Sequence, residues 1–124
     1  MNLRNLFRVL AVILFLSGLG FLFAPQAATA ADLSSFGLYA AQQLGAFNLA
    51  FGILLFLVSG MAPSPARQAV VSAVIVNQLV TGIVNLVAVL GGIIPDGLGW
   101  FGVGLSIVLV LAFGYFRFVR PEEA

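Results

Sequence analysis

Cysteine and histidine are absent from the 124 residues, and all five basic side chains are arginines, so lysine is absent as well. Without cysteine there is no disulfide framework, no thiolate metal site and no sulfur nucleophile. Without histidine and lysine, the usual general base, the commonest transition-metal ligand and the Schiff-base amine are missing too. Charge is scarce altogether. Only 7% of residues are charged, against about a quarter in ordinary globular domains. So few charges cannot clothe a water-facing surface around a core of this size. The net charge of +1 supplies no basic patch for phosphates, so nucleic acid is not an expected partner. No cofactor and no metal site is expected either, and the chain reads as non-enzymatic.

What the sequence does have is apolar length. Hydrophobic residues make up 62% of the chain, arranged as four runs near the ~20 residues that cross a hydrocarbon core. The runs are residues 6–24, 38–58, 65–90 and 98–116. Arg4 and Arg8 stand at the start of the first and Pro25 closes it. A cleavable signal peptide is the competing reading of this start, with Ala28-Thr29-Ala30 as an A-x-A site before Ala31-Asp32. The first run is longer than the usual apolar region of about 7–15 residues, which favours a retained span. Residues 25–35 are small and polar and form the longest expected connection. Ser64-Pro65 reads as an N-cap followed by a first helical position, which starts the third helix. Gly91-Gly92 ends that helix, and Pro95-Asp96-Gly97 supplies turn chemistry. Trp100 and Tyr115 bracket the last run as interfacial aromatics.

Charge placement sets a topology. Arg4, Arg8, Arg67, Arg117 and Arg120 all fall at the N-terminus, in the second connection or at the C-terminus. The other two connections carry only Asp32 and Asp96. By the positive-inside rule all five arginines are cytoplasmic, and with four spans so are both termini. The expected fold is therefore an all-α integral membrane protein, an up-and-down bundle of four transmembrane helices forming one membrane domain over 1–124. Its expected location is a bacterial inner membrane.

Arg8 and Arg67 fall in the first turn of their runs, and no ionised side chain lies deeper in any of the four. Proton-coupled transport needs a titratable group at membrane depth, so the small multidrug exporters, with their first-span glutamate, are disfavoured. Small fluoride channels are disfavoured as well, since their phenylalanine-and-threonine filter has no counterpart. Asp32 and Asp96 lie on separate connections without further oxygen ligands nearby, a poor basis for a cation site. Gln42 and Gln43 are expected at headgroup level.

One stretch stands out within the third run. Stepping by four gives Ala69, Ala73, Asn77, Thr81 and Asn85, which reads as one helical face with a small half and a hydrogen-bonding half. With Gln78 beside it and Asn48 in the second run, it is the only polar set at membrane depth. Two readings apply. The amides either tie helices together, or they line a pocket for a lipid, quinone or other isoprenoid headgroup. Ala41, Gly45 and Gly52 form a close-packing seam on the second run, and Gly102 and Ser106 form one on the fourth. The partners that follow are the lipid bilayer and either other membrane subunits or a second copy. The leading role is that of a structural or accessory subunit, and the alternative is a binding or carrier protein for a small lipophile.

The first-run ending Gly18-Leu-Gly-Phe-Leu-Phe-Ala-Pro25 and the second-run stretch Gly45-Ala-Phe-Asn-Leu-Ala-Phe-Gly52 resemble small bacterial four-span membrane proteins of the DoxX-like group. A short proline-containing inner loop follows, as in those families. They often carry a charge just before the second-span glycine, where this chain has Gln42 and Gln43. The resemblance implies a four-span fold and transfers no catalytic residue.

Overall fold

Long helices follow directly from the sequence, since each apolar run offers helix-forming side chains bounded by proline, glycine or serine. The computed structural model describes residues 2–29 and 33–120, and the described residues are all-α. Helix α1 is Leu3–Phe23, α2 is Pro25–Thr29, α3 is Ser35–Ser59, α4 is Pro65–Leu90 and α5 is Asp96–Gly114. A π-helical turn, Tyr115–Val119, continues α5. α1, α3, α4 and α5 with its π turn are each long and apolar enough to cross a membrane, at 21, 25, 26 and 24 residues. At ~1.5 Å per residue even the shortest covers a core of about 30 Å.

The helix ends carry the chemistry their sequence calls for. Ser34 caps α3, its hydroxyl accepting from the Gly37 N–H at 3.1 Å. Ser64 caps α4 in the same way, accepting from the Arg67 N–H at 3.1 Å, with Pro65 in the first turn. Beyond Gly91, the chain turns at Gly92, whose φ of 69° suits glycine. Asp96 opens α5, where a carboxylate favours the positive end of the helix dipole.

Two expectations shift. Residues 25–29 are helical rather than an irregular connection. Ala24 still donates to Gly20 and Ala28 to Ala24, so Pro25 costs only the bond that its missing N–H would have made. The last run also extends beyond residue 116, because the chain relaxes to five-residue hydrogen bonding and Arg120 N–H reaches the Tyr115 carbonyl at 3.0 Å. Ala30–Asp32, which hold the end of the possible cleavage signature and one acidic residue, lie outside the described residues, as do Pro121–Ala124.

The chain divides into two compact units, a first covering Leu3–Gly60 and a second beginning at Met61. In the first, α1 and α3 pack antiparallel along glycines. A Cβ placed on Gly18 would lie 2.7 Å from the Leu49 nitrogen and 2.8 Å from the Gly45 oxygen. One on Gly52 would lie 2.9 Å from the Ala11 oxygen. The two backbones therefore touch, which only small residues allow. Gly45, Gly52 and Ala41 are all buried, as the close-packing seam predicts.

In the second unit, α4 and α5 pack antiparallel through a different device. Glycines of one helix receive side chains of the other. Gly99 faces Val89, Gly102 faces Asn85 and Gly82 faces Ser106. Outside these seams the surface is apolar, with Phe23, Phe36, Phe101 and Phe118 each more than two-thirds exposed. In water such a surface would be untenable, whereas in lipid it is the natural exterior.

Candidate functional site

The polar set of α4 divides between two sides of the helix. Each residue advances about 100°, so a four-residue step drifts ~40° and the five-membered ladder turns through roughly 160° in all. Ala69 and Asn85 therefore point in very different directions. Ala69, Ala73, Asn77 and Thr81 are exposed, Asn85 is half-buried and Gln78 is buried. The single face expected from the four-residue spacing is thus corrected. The small-residue half, Ala69 and Ala73, does not pack against α5, because accumulated drift has turned it away.

The α5-facing members do meet the residues singled out there. The Ser106 hydroxyl donates to Gln78 Oε1 at 3.4 Å, between side chains that are 3% and 6% exposed. The Asn85 amide lies over Gly102, where a Cβ would come within 2.7 Å of its nitrogen. Beside this contact runs a groove of about 210 Å³, walled by Leu79, Ile83, Leu86, Val103 and Ile107 with Gln78 at its edge. Its surface is almost wholly apolar. It suits a hydrocarbon chain better than a polar headgroup.

Asn48 belongs to the other unit's network. Its amide donates to the Ser17 hydroxyl at 3.4 Å, and Ser17 in turn donates to the Leu14 carbonyl at 3.1 Å. Asn48 therefore ties α3 to α1 at the point where the glycines bring the two backbones together. Its role is interhelical hydrogen bonding, worth about 0.6 kcal/mol on average in lipid.

Sequence reasoning missed a polar contact at the arginine end of each hairpin. Arg8 Nε donates to the Ser59 hydroxyl at 3.4 Å, joining the start of α1 to the end of α3. Arg117 Nε donates to the Ser72 hydroxyl at 3.0 Å, and Ser72 donates to the Gln68 carbonyl at 3.2 Å. The Arg117 guanidinium also lies 5.6 Å from the centre of the Phe118 ring. Arg67, at the start of α4, is buried, at 3% exposed. The available signal was a serine within one or two helical turns of each arginine-bearing end, and it was too common a feature to stand out.

Two members of the polar set remain without a described contact. No hydrogen bond involves the side chains of Asn77 or Thr81 among the described residues. Asn77 is near the middle of α4, twelve residues from Pro65 and thirteen from Leu90, or ~18–20 Å from either end. An amide at that depth faces hydrocarbon unless another helix covers it. Chemically the set can donate and accept hydrogen bonds; with no ionisable side chain, it cannot relay protons. Comparison with protein-family models, with curated proteins and with solved structures finds no match for this chain.

Proposed function

We propose that this chain is a non-enzymatic accessory protein of a bacterial inner membrane that works by lateral association with other membrane helices. The observation that carries the reading is Asn77, with Thr81 one turn on, exposed at mid-span on α4. A carboxamide left in hydrocarbon loses its hydrogen bonds to water, and the usual remedy is another helix. The arginines support an orientation with both termini in the cytoplasm, since Arg8 and Arg117 each sit at the open end of a hairpin beside a serine of the partner helix. The stretches that resemble the DoxX-like group, Gly18–Pro25 and Gly45–Gly52, meet in the α1–α3 contact, so that resemblance bears on hairpin packing rather than on activity.

A photo-crosslinking side chain placed at position 77 tests the reading in native membranes. Adducts with protein are the expected result. Adducts with lipid alone would overturn it. A second reading, a binding or carrier protein for a lipophile, draws on the apolar groove between α4 and α5. Its volume of about 210 Å³ is below the ~300–1,000 Å³ that encloses a drug-sized ligand, so one acyl or isoprenoid chain is the fitting guest. Native mass spectrometry separates the two readings by showing protein partners or a co-purifying lipophile. If the second reading holds, Ile83→Trp, which fills the groove, lowers retention of that lipophile.

A further inference from the structure

The first hairpin holds an arginine beside an apolar groove. The groove lies between α1 and α3, where Gly52 comes against the Ala11 carbonyl, and has a volume of about 230 Å³. Its walls are Val12, Phe15, Leu16, Ile53 and Phe56, and all five side chains are exposed. Arg8 stands at one end. At about 100° per residue, Phe15 and Val12 lie roughly 20° and 40° to either side of the line of Arg8 along α1. Arg4 is one turn further out, roughly 40° round from Arg8. On α3, Phe56 comes three residues before Ser59, whose hydroxyl accepts from Arg8 Nε at 3.4 Å. That bond uses Nε alone. The terminal nitrogens of Arg8 make no hydrogen bond or ion pair among the described residues, nor does the Arg4 side chain. Both arginines are exposed.

We propose that the first hairpin binds one anionic phospholipid, with its phosphate on Arg8 beside Arg4 and one acyl chain in the groove. A guanidinium fork matches the oxygens of a phosphate, and basic sites at the cytoplasmic ends of transmembrane helices take anionic headgroups. The size of the groove selects its occupant. The lining residues span ~8 Å of α1, so a volume of about 230 Å³ corresponds to a cross-section of about 30 Å². A helix 10–12 Å across needs roughly 80 Å² or more, so an extended hydrocarbon chain fits and a helix does not. The second hairpin supplies a contrast. Its groove, of about 210 Å³, begins six residues beyond Ser72 and ends seven before Arg117, ~9–10 Å from that arginine pair. In the first hairpin, Val12 is only four residues from Arg8, or ~6 Å, so headgroup and chain contacts join. The site uses α1 and α3 alone and stands whether or not Asn77 meets another helix.

The test is titration of the delipidated full chain in detergent, read by native mass spectrometry. The probes are dioleoyl phosphatidylglycerol and dioleoyl phosphatidylcholine, which share acyl chains and differ in headgroup charge. One phosphatidylglycerol per chain is expected, held at least about fivefold more tightly than phosphatidylcholine. Arg8→Gln is expected to lower that preference about fivefold, whereas Arg117→Gln leaves it within about twofold. Ile53→Trp fills the groove from an exposed position. It should weaken both lipids by at least about threefold while the preference for the anionic headgroup survives. Equal binding of the two lipids by the wild type would overturn the proposal. So would equal losses from Arg8→Gln and Arg117→Gln, which mark charge attraction alone, or an unchanged affinity in Ile53→Trp. If Arg8→Gln does not fold, Arg4→Gln carries the same test: a loss of preference of roughly twofold is expected, and no loss would count against the site.

Discussion

Replacing Gly18 with alanine is the sharpest probe of how the first hairpin holds together. The new Cβ would lie 2.7 Å from the Leu49 nitrogen, 2.8 Å from the Gly45 oxygen and 3.1 Å from the Leu49 Cα. All three are backbone atoms, so no side chain can swing aside and the helices must separate. Overpacking of this kind costs about 1–3 kcal/mol. Separation also stretches the Asn48–Ser17 bond, already 3.4 Å long, at a further ~0.6 kcal/mol. A total near 2–3 kcal/mol is expected, which shifts the unfolding equilibrium at least about 30-fold. The assay is reversible unfolding in mixed micelles, followed by loss of helix contact between labels on α1 and α3. Gly104→Ala is the control, because nothing lies within 4 Å of its Cβ position. That change should be neutral, or stabilising by up to ~1 kcal/mol through helix propensity. If Gly18→Ala unfolds within ~0.5 kcal/mol of both wild type and the control, backbone contact is not what binds α1 to α3.

Other consequences are more local. Gly102→Ala meets the end of the Asn85 amide rather than backbone, so it should cost less than Gly18→Ala in the same micelle unfolding assay. Gln78→Leu and Ser106→Ala each remove one side of the buried hydrogen bond, and a double-mutant cycle should return a coupling of about 0.6 kcal/mol. Zero coupling would mean the 3.4 Å contact contributes nothing. Ser34→Ala removes the cap of α3 and should cost ~0.5–2 kcal/mol, seen as faster amide exchange at Gly37 with little change elsewhere.

Much of this architecture is legible without coordinates, and for physical reasons. Crossing a membrane imposes length, apolarity and end charges all at once, so four spans can be read from composition and punctuation. Ser64-Pro65 specified the start of α4 because cap and ring chemistry act through adjacent residues. Gly45, Gly52, Gly102 and Ser106 were recognisable as contact positions because only small residues permit such approach. The face of the polar ladder was harder. A four-residue step resembles one face over two turns and departs from it over four, so Ala69 and Ala73 share the exposed side of Asn77 rather than the side that meets α5. The serine partners of Arg8 and Arg117 were invisible, since they depend on which helix ends meet. The π turn that brings Arg117 to Ser72 leaves no mark in residue type.

The central claim is that the mid-span amide on α4 exists for a contact with another helix in the membrane. Its most direct test is photo-crosslinking from position 77 in native membranes, with the adducts identified by mass. The account predicts adducts with protein. Adducts with lipid alone would contradict it.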